Sequence, residues 1–206
     1  MKPRLFYPIA VCWVCGVVAS VVAVERYSNR DGSTTPLELV WPQESQLTLS
    51  PDTLTALIFA HPKCPCTQAT VQEFQRIEAR HPRAFDTIVV FPVTPAQEAA
   101  WRDTRLVRDA KQIQSATVVF DRGGVEARQF RCAVSGQVLL FAPDGHLLFS
   151  GGVTPARGHE GNNGGQEAFE HQVENPDSPP LTFPVFGCGL VVASPAPSGT
   201  PHEAHE

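Results

Sequence analysis

The sequence has little basic charge, and this argues against one class of partner. Lysine and arginine number 16 against 21 aspartate and glutamate residues, so the formal net charge is −5 at pH 7. Proteins that bind nucleic acid usually present a basic surface, and nothing in this composition indicates one. No internal repeat is evident. The 206 residues, 42% of them hydrophobic, are enough for one ordinary domain with a real core plus extensions.

Charged residues are absent from a long stretch close to the N-terminus. Lys2 and Arg4 precede an uncharged run over residues 5–24, which ends at Glu25. About twenty such residues are enough to cross a bilayer as a helix. Because the positive residues lie on the N-terminal side, the rest of the chain is predicted to be extracytoplasmic, on the periplasmic side. Residues 1–25 are therefore predicted to form a single-pass transmembrane anchor, with a cleaved signal peptide as the alternative.

The anchor divides the six cysteines into two groups. Cys12 and Cys15 lie inside the apolar run, where they are best interpreted as small hydrophobic residues. The remaining cysteines would face an oxidising space, in which disulfides persist; they are Cys64, Cys66, Cys132 and Cys188. Four cysteines allow three pairings, and the sequence does not choose among them. Cys132 is predicted to be a buried small residue.

Two cysteines separated by one residue lie where a predicted strand passes into a predicted helix. The motif HPKCPC, residues 61–66, follows the apolar run 56–60 and precedes a stretch with helical spacing of apolar residues. The free N–H groups and the positive dipole end of a helix N-terminus stabilise a thiolate over a thiol. Lys63 and His61 add positive charge that would lower the pKa of the thiol. We therefore predict thiol chemistry, with Cys64 as the attacking thiolate.

Two other cysteines are candidates to resolve a mixed disulfide on Cys64. Cys66 is the first candidate, and failing that Cys188, which lies in an apolar segment far along the chain. A bond between Cys64 and Cys66 would close a small, strained ring, so it would be easily reduced and would act as an oxidant or isomerase. Cys64 is predicted to be partly exposed and Cys66 less so. The alternative is a non-catalytic domain with a structural disulfide, either Cys64 with Cys66 or Cys66 with Cys188.

A metal-binding module is the second alternative. Two sulfurs from Cys64 and Cys66, with nitrogens from His61 and His159, would suit copper or zinc. His159 and Glu160 lie in a glycine-rich loop that is equally consistent with a solvated surface. Thiol exchange itself is expected to need no cofactor, and its expected partners are protein thiols or disulfides.

The order of predicted elements is typical of an α/β protein with a mixed sheet. Strands are predicted in the run ending at residue 59 and over 87–93, 117–120, 137–142 and 146–150. Helices are predicted over 66–80, 95–114, 125–132 and 164–173. Asp144-Gly145 between two apolar runs indicates a hairpin. A short strand or two is predicted within 37–49.

These elements predict five segments. The anchor, 1–25, is followed by a polar linker over 26–36 and by the α/β domain over 37–175. A proline-rich C-terminal extension with Cys188 covers 176–193. The tail over 194–206 is predicted to be disordered by its composition.

With the motif, the element order and the anchor considered together, the chain resembles membrane-anchored thioredoxin-like proteins of the TlpA type. More closely, it resembles the bacterial RedB-like group. The matching pieces are HPKCPC (61–66), the SGQVLLF and DGHLLFSGG hairpin (135–152), ARGHEGNNGG (156–165) and FGC (186–188). The resemblance covers about residues 40–190. It implies a thioredoxin-like mixed sheet flanked by helices, and much less about activity. From the thiol motif and the anchor we predict an extracytoplasmic thiol–disulfide oxidoreductase-like protein, and from the proline content an irregular C-terminal extension.

The chain departs from the thioredoxin pattern in two places. The thioredoxin motif has two residues between its cysteines, whereas here only Pro65 intervenes. A cis-proline usually precedes the strand that faces the redox site, and it shapes the substrate groove and keeps metals off the thiols. Here Ser135-Gly136-Gln137 stands at that position. Gly136 is therefore predicted to leave the cysteine pair open to metal ions, and restoring proline there is expected to weaken metal binding.

Overall fold

The structure, a computed structural model, describes residues 3–29, 36 and 39–190. Its first element is α1 (Pro3–Ser28). Within it, Tyr7–Ser28 has a mean hydropathy of 2.2 and is not buried against the domain. By length and composition this helix is able to cross a membrane, and a signal sequence would have the same properties. Most of the predicted linker, residues 30–35, lies outside the described residues.

Six strands form one mixed sheet. In chain order they are β1 (Leu54–Phe59), β2 (Phe85–Val93), β3 (Ala116–Arg122), β4 (Gln137–Phe141), β5 (Leu147–Gly151) and β6 (Leu181–Thr182). Their order across the sheet is β3-β2-β1-β4-β5-β6. The first three strands are parallel, β4 runs antiparallel to both β1 and β5, and β6 is parallel to β5. The central strand β1 is buried along its whole length, which explains its continuous apolar sequence.

Helices and loops cover both faces of the sheet. The helices are α2 (Pro65–Arg80), α3 (Pro95–Trp101), α4 (Arg105–Ala110), α5 (Val125–Gln129) and α6 (Gly164–Glu174). Successive side chains of β1 enter opposite cores, as the alternation of a strand requires. Ile58 packs with Phe74 and Phe169 of the helices α2 and α6. Phe59 packs on the other face with Phe130, and Trp41 closes that core.

The topology is that of the thioredoxin-like fold, as the resemblance implied. A parallel βαβ unit is followed by a third parallel strand, a short helix and an antiparallel hairpin in the same sheet. The four predicted strands after β1 end within two residues of the observed ones. The thiol motif therefore lies where expected, between the central strand β1 and the helix α2.

Two predicted elements are wrong. The single helix predicted over 95–114 is two short helices, because α3 ends at Trp101 and α4 begins after Thr104. The Thr104 side chain accepts a hydrogen bond from the Val107 N–H, and such an N-cap starts a new helix instead of continuing the old one. Within the described residues 39–49 there is no strand, only a bridge between Val40 and His146.

The C-terminal extension is mostly irregular, as predicted, but it pairs with the sheet at two places. Its strand β6 pairs with Phe149 and Ser150 of β5. Further along, Gly189 forms an antiparallel bridge with Val134, just before β4. Residues 176–190 thus pack against the sheet as a continuation of the domain. The last residues of the extension and the predicted disordered tail, 191–206, lie outside the described residues.

Candidate functional site

The first two thiols lie where β1 passes into α2, in the order that the sequence predicts. Cys64 is the N-cap residue of α2, with extended backbone angles of φ −86° and ψ 117°. Pro65 occupies the first helical position, where a missing N–H costs nothing and the fixed φ suits the helix. Cys66 follows in the first turn. The helix therefore presents both sulfur-bearing residues at its N-terminal end, close to its free N–H groups.

A third thiol joins them from the C-terminal extension. The Sγ atoms of Cys64, Cys66 and Cys188 all lie within 4.8 Å of one another. All three residues are free thiols in this structure. Two fragments far apart in the sequence are thus brought together at a single site.

Cys188 is carried by residues 185–190, which we call the docked segment. The Ser135 N–H donates to the Cys188 carbonyl oxygen at 2.8 Å, and the Leu190 N–H donates to the Ala133 carbonyl oxygen at 2.7 Å. These bonds align the docked segment antiparallel to residues 133–135, immediately before β4. The backbone pairing sets the position of Cys188 beside the N-terminus of α2.

Gly187 permits this close approach. A Cβ atom at position 187 would lie 1.8 Å from the carbonyl oxygen of Ser135, which is far inside van der Waals contact. At Gly189, in the same segment, a Cβ atom would meet nothing within 4 Å. Position 187 therefore accepts only glycine as long as the segment stays docked, whereas position 189 has room for a side chain.

The predicted exposure of Cys64 is wrong. Cys64 is 5% exposed and Cys66 is 8% exposed, so both are buried and Cys64 is not the more accessible one. Neither belongs to the two hydrophobic clusters found in the described part of the chain. The docked segment lies against them, since the Sγ atom of the partly exposed Cys188 is within 4.8 Å of both sulfurs. The docked segment thus contributes to their burial.

The pKa of the Cys64 thiol is lowered to about 7. Burial raises this pKa, but hydrogen bonds to the sulfur outweigh it: they come from the Thr67 hydroxyl and N–H, the Cys188 thiol and the Cys66 N–H. Thr67 is three residues after the N-cap, the position whose N–H group points back at the cap. At neutral pH a large fraction of Cys64 is therefore the thiolate.

The pKa values of the other two thiols, Cys66 and Cys188, are raised. Burial and the charge of Cys64 raise the pKa of Cys66 to about 12. Burial, followed by the charge of Cys64, also raises the pKa of Cys188. One thiolate thus lies beside two protonated thiols, and the thiolate is the more nucleophilic form of a cysteine.

His61 and Lys63 are close to the site but do not have the role predicted for them. Burial, and then the charge of Lys63, lowers the pKa of His61, so the ring is neutral. The Lys63 ammonium lies 5.5 Å from the centre of the Trp101 ring, which His61 also contacts edge-on. Neither residue is among the groups that shift the pKa of Cys64. Among the groups that lower the pKa of Cys64, Thr67 has the largest effect.

The two histidines predicted as metal ligands are not brought to the thiols. Among the described residues, the only group of potential ligand side chains contains Cys64, Cys66 and Cys188. His159 is exposed, and its Nδ1 lies 2.8 Å from the Arg157 carbonyl oxygen. Its loop is held elsewhere, since the neighbouring Gly161 N–H donates to Glu73 of α2 at 2.6 Å.

Gly136 lies beside the site, but the proposed replacement by proline is incompatible with its backbone. Its φ is +91°, a value that the proline ring does not allow. Its N–H also donates to the Phe59 carbonyl oxygen at 2.7 Å, a bond that proline would remove. No peptide bond in the described residues is cis. Ser135 is the residue that meets the cysteine-bearing helix, through a hydrogen bond between its hydroxyl and that of Thr67.

The sequence reasoning missed Thr67, Ser135 and Gly187. Thr67 had a local signal, because its spacing of three residues from Cys64 is that of a capping interaction. Gly187 precedes Cys188 directly, and glycine often marks a close approach of two backbones. Ser135 had no signal of its own, since its contacts depend on tertiary structure.

We expect Thr67→Val to raise the pKa of Cys64 from about 7 towards the ordinary value of a thiol, because valine removes the hydroxyl donor. The measurement is the pH profile of Cys64 alkylation in the reduced, metal-free protein, with peptide mapping. In the wild type the rate should fall about tenfold for each pH unit below the midpoint. In the variant the whole profile should move to higher pH.

Thr67→Ser is the matched control for this profile. It retains the hydroxyl and should keep the midpoint near the wild-type value. An unchanged midpoint in Thr67→Val would show that the hydroxyl does not stabilise the thiolate.

Two solved structures with TM-scores above 0.5 are similar to this chain in fold. No family model and no curated protein matches the chain. An uncharacterized conserved protein from Geobacillus kaustophilus is similar, with a TM-score of 0.57 and 16% identity over 84% of this chain and 96% of that chain. A hypothetical protein from Sinorhizobium meliloti has a TM-score of 0.55 and 13% identity over 79% and 95% of the two chains. A thioredoxin-like protein from Aeropyrum pernix has a TM-score of 0.45 and 12% identity over 80% and 98%.

Proposed function

We propose that this protein exchanges thiols and disulfides with other proteins, using Cys64 as the nucleophile. The observation that carries the proposal is the cluster itself, in which a thiol at a helix N-terminus has two further thiols within 4.8 Å. A nucleophile and a resolving partner are both present, and these are the two parts that disulfide exchange requires. The low pKa of Cys64 supports the assignment.

The reaction begins when the Cys64 thiolate attacks one sulfur of a substrate disulfide. The substrate S–S bond breaks, the other substrate sulfur leaves as a thiolate, and a mixed disulfide with Cys64 forms. A second protein thiol then loses its proton and attacks the Cys64 sulfur. The substrate leaves with two electrons as a dithiol, and the protein retains the disulfide. The reverse sequence oxidises a substrate dithiol, and the redox poise of the compartment sets the direction.

Both Cys66 and Cys188 are close enough to resolve the mixed disulfide. Cys66 lies in the first turn of α2, where Pro65 fixes the backbone between the two cysteines. Cys188 belongs to the docked segment, which is attached by a few backbone hydrogen bonds and is therefore easier to move. Substitution of each cysteine distinguishes the two routes.

The proposed location is the extracytoplasmic face of a membrane, with α1 as a single-pass anchor. The apolar length of α1 and the positive residues before it support this topology. Disulfide exchange also suits a compartment in which disulfides persist. Two motifs that resemble the RedB-like group, HPKCPC and the late FGC, contain the three cysteines of the proposed site. This supports a relationship between the protein and that group.

The proposal is tested by equilibrating the full-length, metal-free protein in detergent with glutathione buffers of increasing oxidising strength. Peptide mapping by mass spectrometry then identifies every disulfide. We expect one reversible disulfide that contains Cys64, joined to Cys66 or Cys188, whereas Cys132, buried in the core, remains a thiol. Peptide mapping also distinguishes any disulfide formed by Cys12 or Cys15 of α1 from a disulfide at the site.

Two outcomes would overturn the proposal. One is three free thiols at the most oxidising ratio, which would mean that the cluster does not exchange. The other is a stable bond between Cys66 and Cys188 that leaves Cys64 unreactive, which would support the structural alternative. A Cys132→Ala variant should titrate like the wild type.

A further inference from the structure

Three sulfur atoms converge at the site with a spacing that suits a metal ion. The Sγ atoms of Cys64, Cys66 and Cys188 lie within 4.8 Å of one another, and no disulfide joins them. In a trigonal site with metal–sulfur bonds of about 2.3 Å, the sulfurs are about 4.0 Å apart. From an equilateral triangle with sides of 4.8 Å, each sulfur would move towards the centre by about 0.5 Å to reach that geometry. Side-chain rotations are enough for such a change.

We infer that the reduced cluster binds one Cu(I) ion through the three thiolates of Cys64, Cys66 and Cys188. This site differs from the one that the sequence predicts, because the docked segment supplies a third sulfur in place of the nitrogens of His61 and His159. The inference does not depend on thiol exchange, since it concerns the protein with all three cysteines reduced.

The ligand set favours Cu(I) over Zn(II). Thiolates are soft ligands, and soft ligands select Cu(I) as well as zinc. Structural zinc sites, however, almost always have four ligands in a tetrahedron. In the described part of the chain no fourth cysteine, histidine or carboxylate joins the group. Burial of Cys64 and Cys66 also limits the access of a water molecule as a fourth ligand.

The fold holds the three ligands before any metal arrives. Cys64 and Cys66 are positioned by the N-terminus of α2, whose positive dipole end favours the negative charge of a thiolate cluster. Cys188 is positioned by the backbone pairing of the docked segment, and Gly187 permits that pairing. A site of this kind needs no refolding to bind the ion, so the ordering cost of binding is small.

The test uses the reduced full-length protein under anaerobic conditions, with Cu(I) delivered from a chromogenic chelator that competes for the ion. We expect one Cu(I) per chain. X-ray absorption should show three sulfur neighbours at about 2.3 Å. In Cys188→Ser the number of sulfur neighbours should fall to two, and the affinity should fall by at least about 10- to 100-fold, which is the loss that removing even an outer-shell partner causes.

Two pairs of variants separate this ligand set from the alternatives. His61→Ala and His159→Ala should bind Cu(I) like the wild type, because neither ring belongs to the cluster. Gly187→Ala should weaken binding, whereas Gly189→Ala should not, because only the first displaces the docked segment. Circular dichroism shows whether each variant is folded.

Three results would overturn the inference. They are a two-sulfur Cu(I) site that Cys188→Ser leaves unchanged, a loss of affinity in either histidine variant, and one Zn(II) per chain that Cu(I) does not displace. A failure of this kind would leave thiol exchange untouched, since exchange is measured in metal-free protein. Conversely, a protein that binds Cu(I) but forms no reversible disulfide would overturn only the proposed exchange.

Discussion

Cys64→Ser is expected to abolish disulfide exchange, with a loss of rate of at least about a thousandfold. A serine hydroxyl is not ionised at neutral pH. Neither neighbour is expected to replace the lost thiolate, since burial is the largest cause that raises the pKa of both Cys66 and Cys188, and it remains when the charge of Cys64 is removed. The measurement is the rate at which the reduced full-length protein, kept metal-free with a chelator, reduces a disulfide-bonded peptide.

The resolving cysteine should behave differently from Cys64. When it is replaced by serine, attack by Cys64 survives and resolution fails, so a mixed disulfide between Cys64 and the peptide accumulates. Comparing Cys66→Ser with Cys188→Ser identifies which residue this is, because the other variant should still turn over. If Cys64→Ser and Cys66→Ser are interchangeable and neither accumulates an adduct, the division of roles is wrong.

Gly187→Ala is expected to release the docked segment and to open the site. The new Cβ atom would lie 1.8 Å from the backbone oxygen of Ser135, so the two strands of backbone must separate. Cys64 and Cys66, which are 5% and 8% exposed, would then lose the part of their cover that the docked segment supplies. Alkylation of Cys64, measured at a pH where it is fully ionised, should accelerate on the order of tenfold or more, because a local opening no longer limits access.

Measuring at high pH is necessary because the release has a second effect. The Cys188 thiol is one of the groups that lower the pKa of Cys64, so its departure should raise that pKa and reduce the thiolate fraction at neutral pH. Gly189→Ala is the matched control in the same segment, since its Cβ atom would meet nothing within 4 Å. Equal alkylation rates in the two variants and the wild type would show that the docked segment does not control access to Cys64.

Much of the fold is predictable because it depends on patterns of residues that are close together in the sequence. The β-branched apolar runs predict the parallel strands, and Asp144-Gly145 predicts the hairpin between β4 and β5. The helical spacing after Cys66 predicts α2 and places Cys64 at its start. The sequence did not predict the break between α3 and α4. Thr104 lies in a helical pattern, and a threonine caps a new helix only when the backbone beside it leaves the helical conformation.

The sequence by itself therefore determines the order of elements, the apolar helix α1 and a thiol at the N-terminus of α2, since each of these depends on residues a few positions apart. Only the tertiary structure decides what surrounds that thiol. Cys188 approaches through backbone hydrogen bonds between residues 133–135 and the docked segment, and backbone pairing between distant segments leaves no periodic signal in either. The same pairing places a third sulfur beside Cys64 and Cys66, while the loop of His159 is held elsewhere by Glu73.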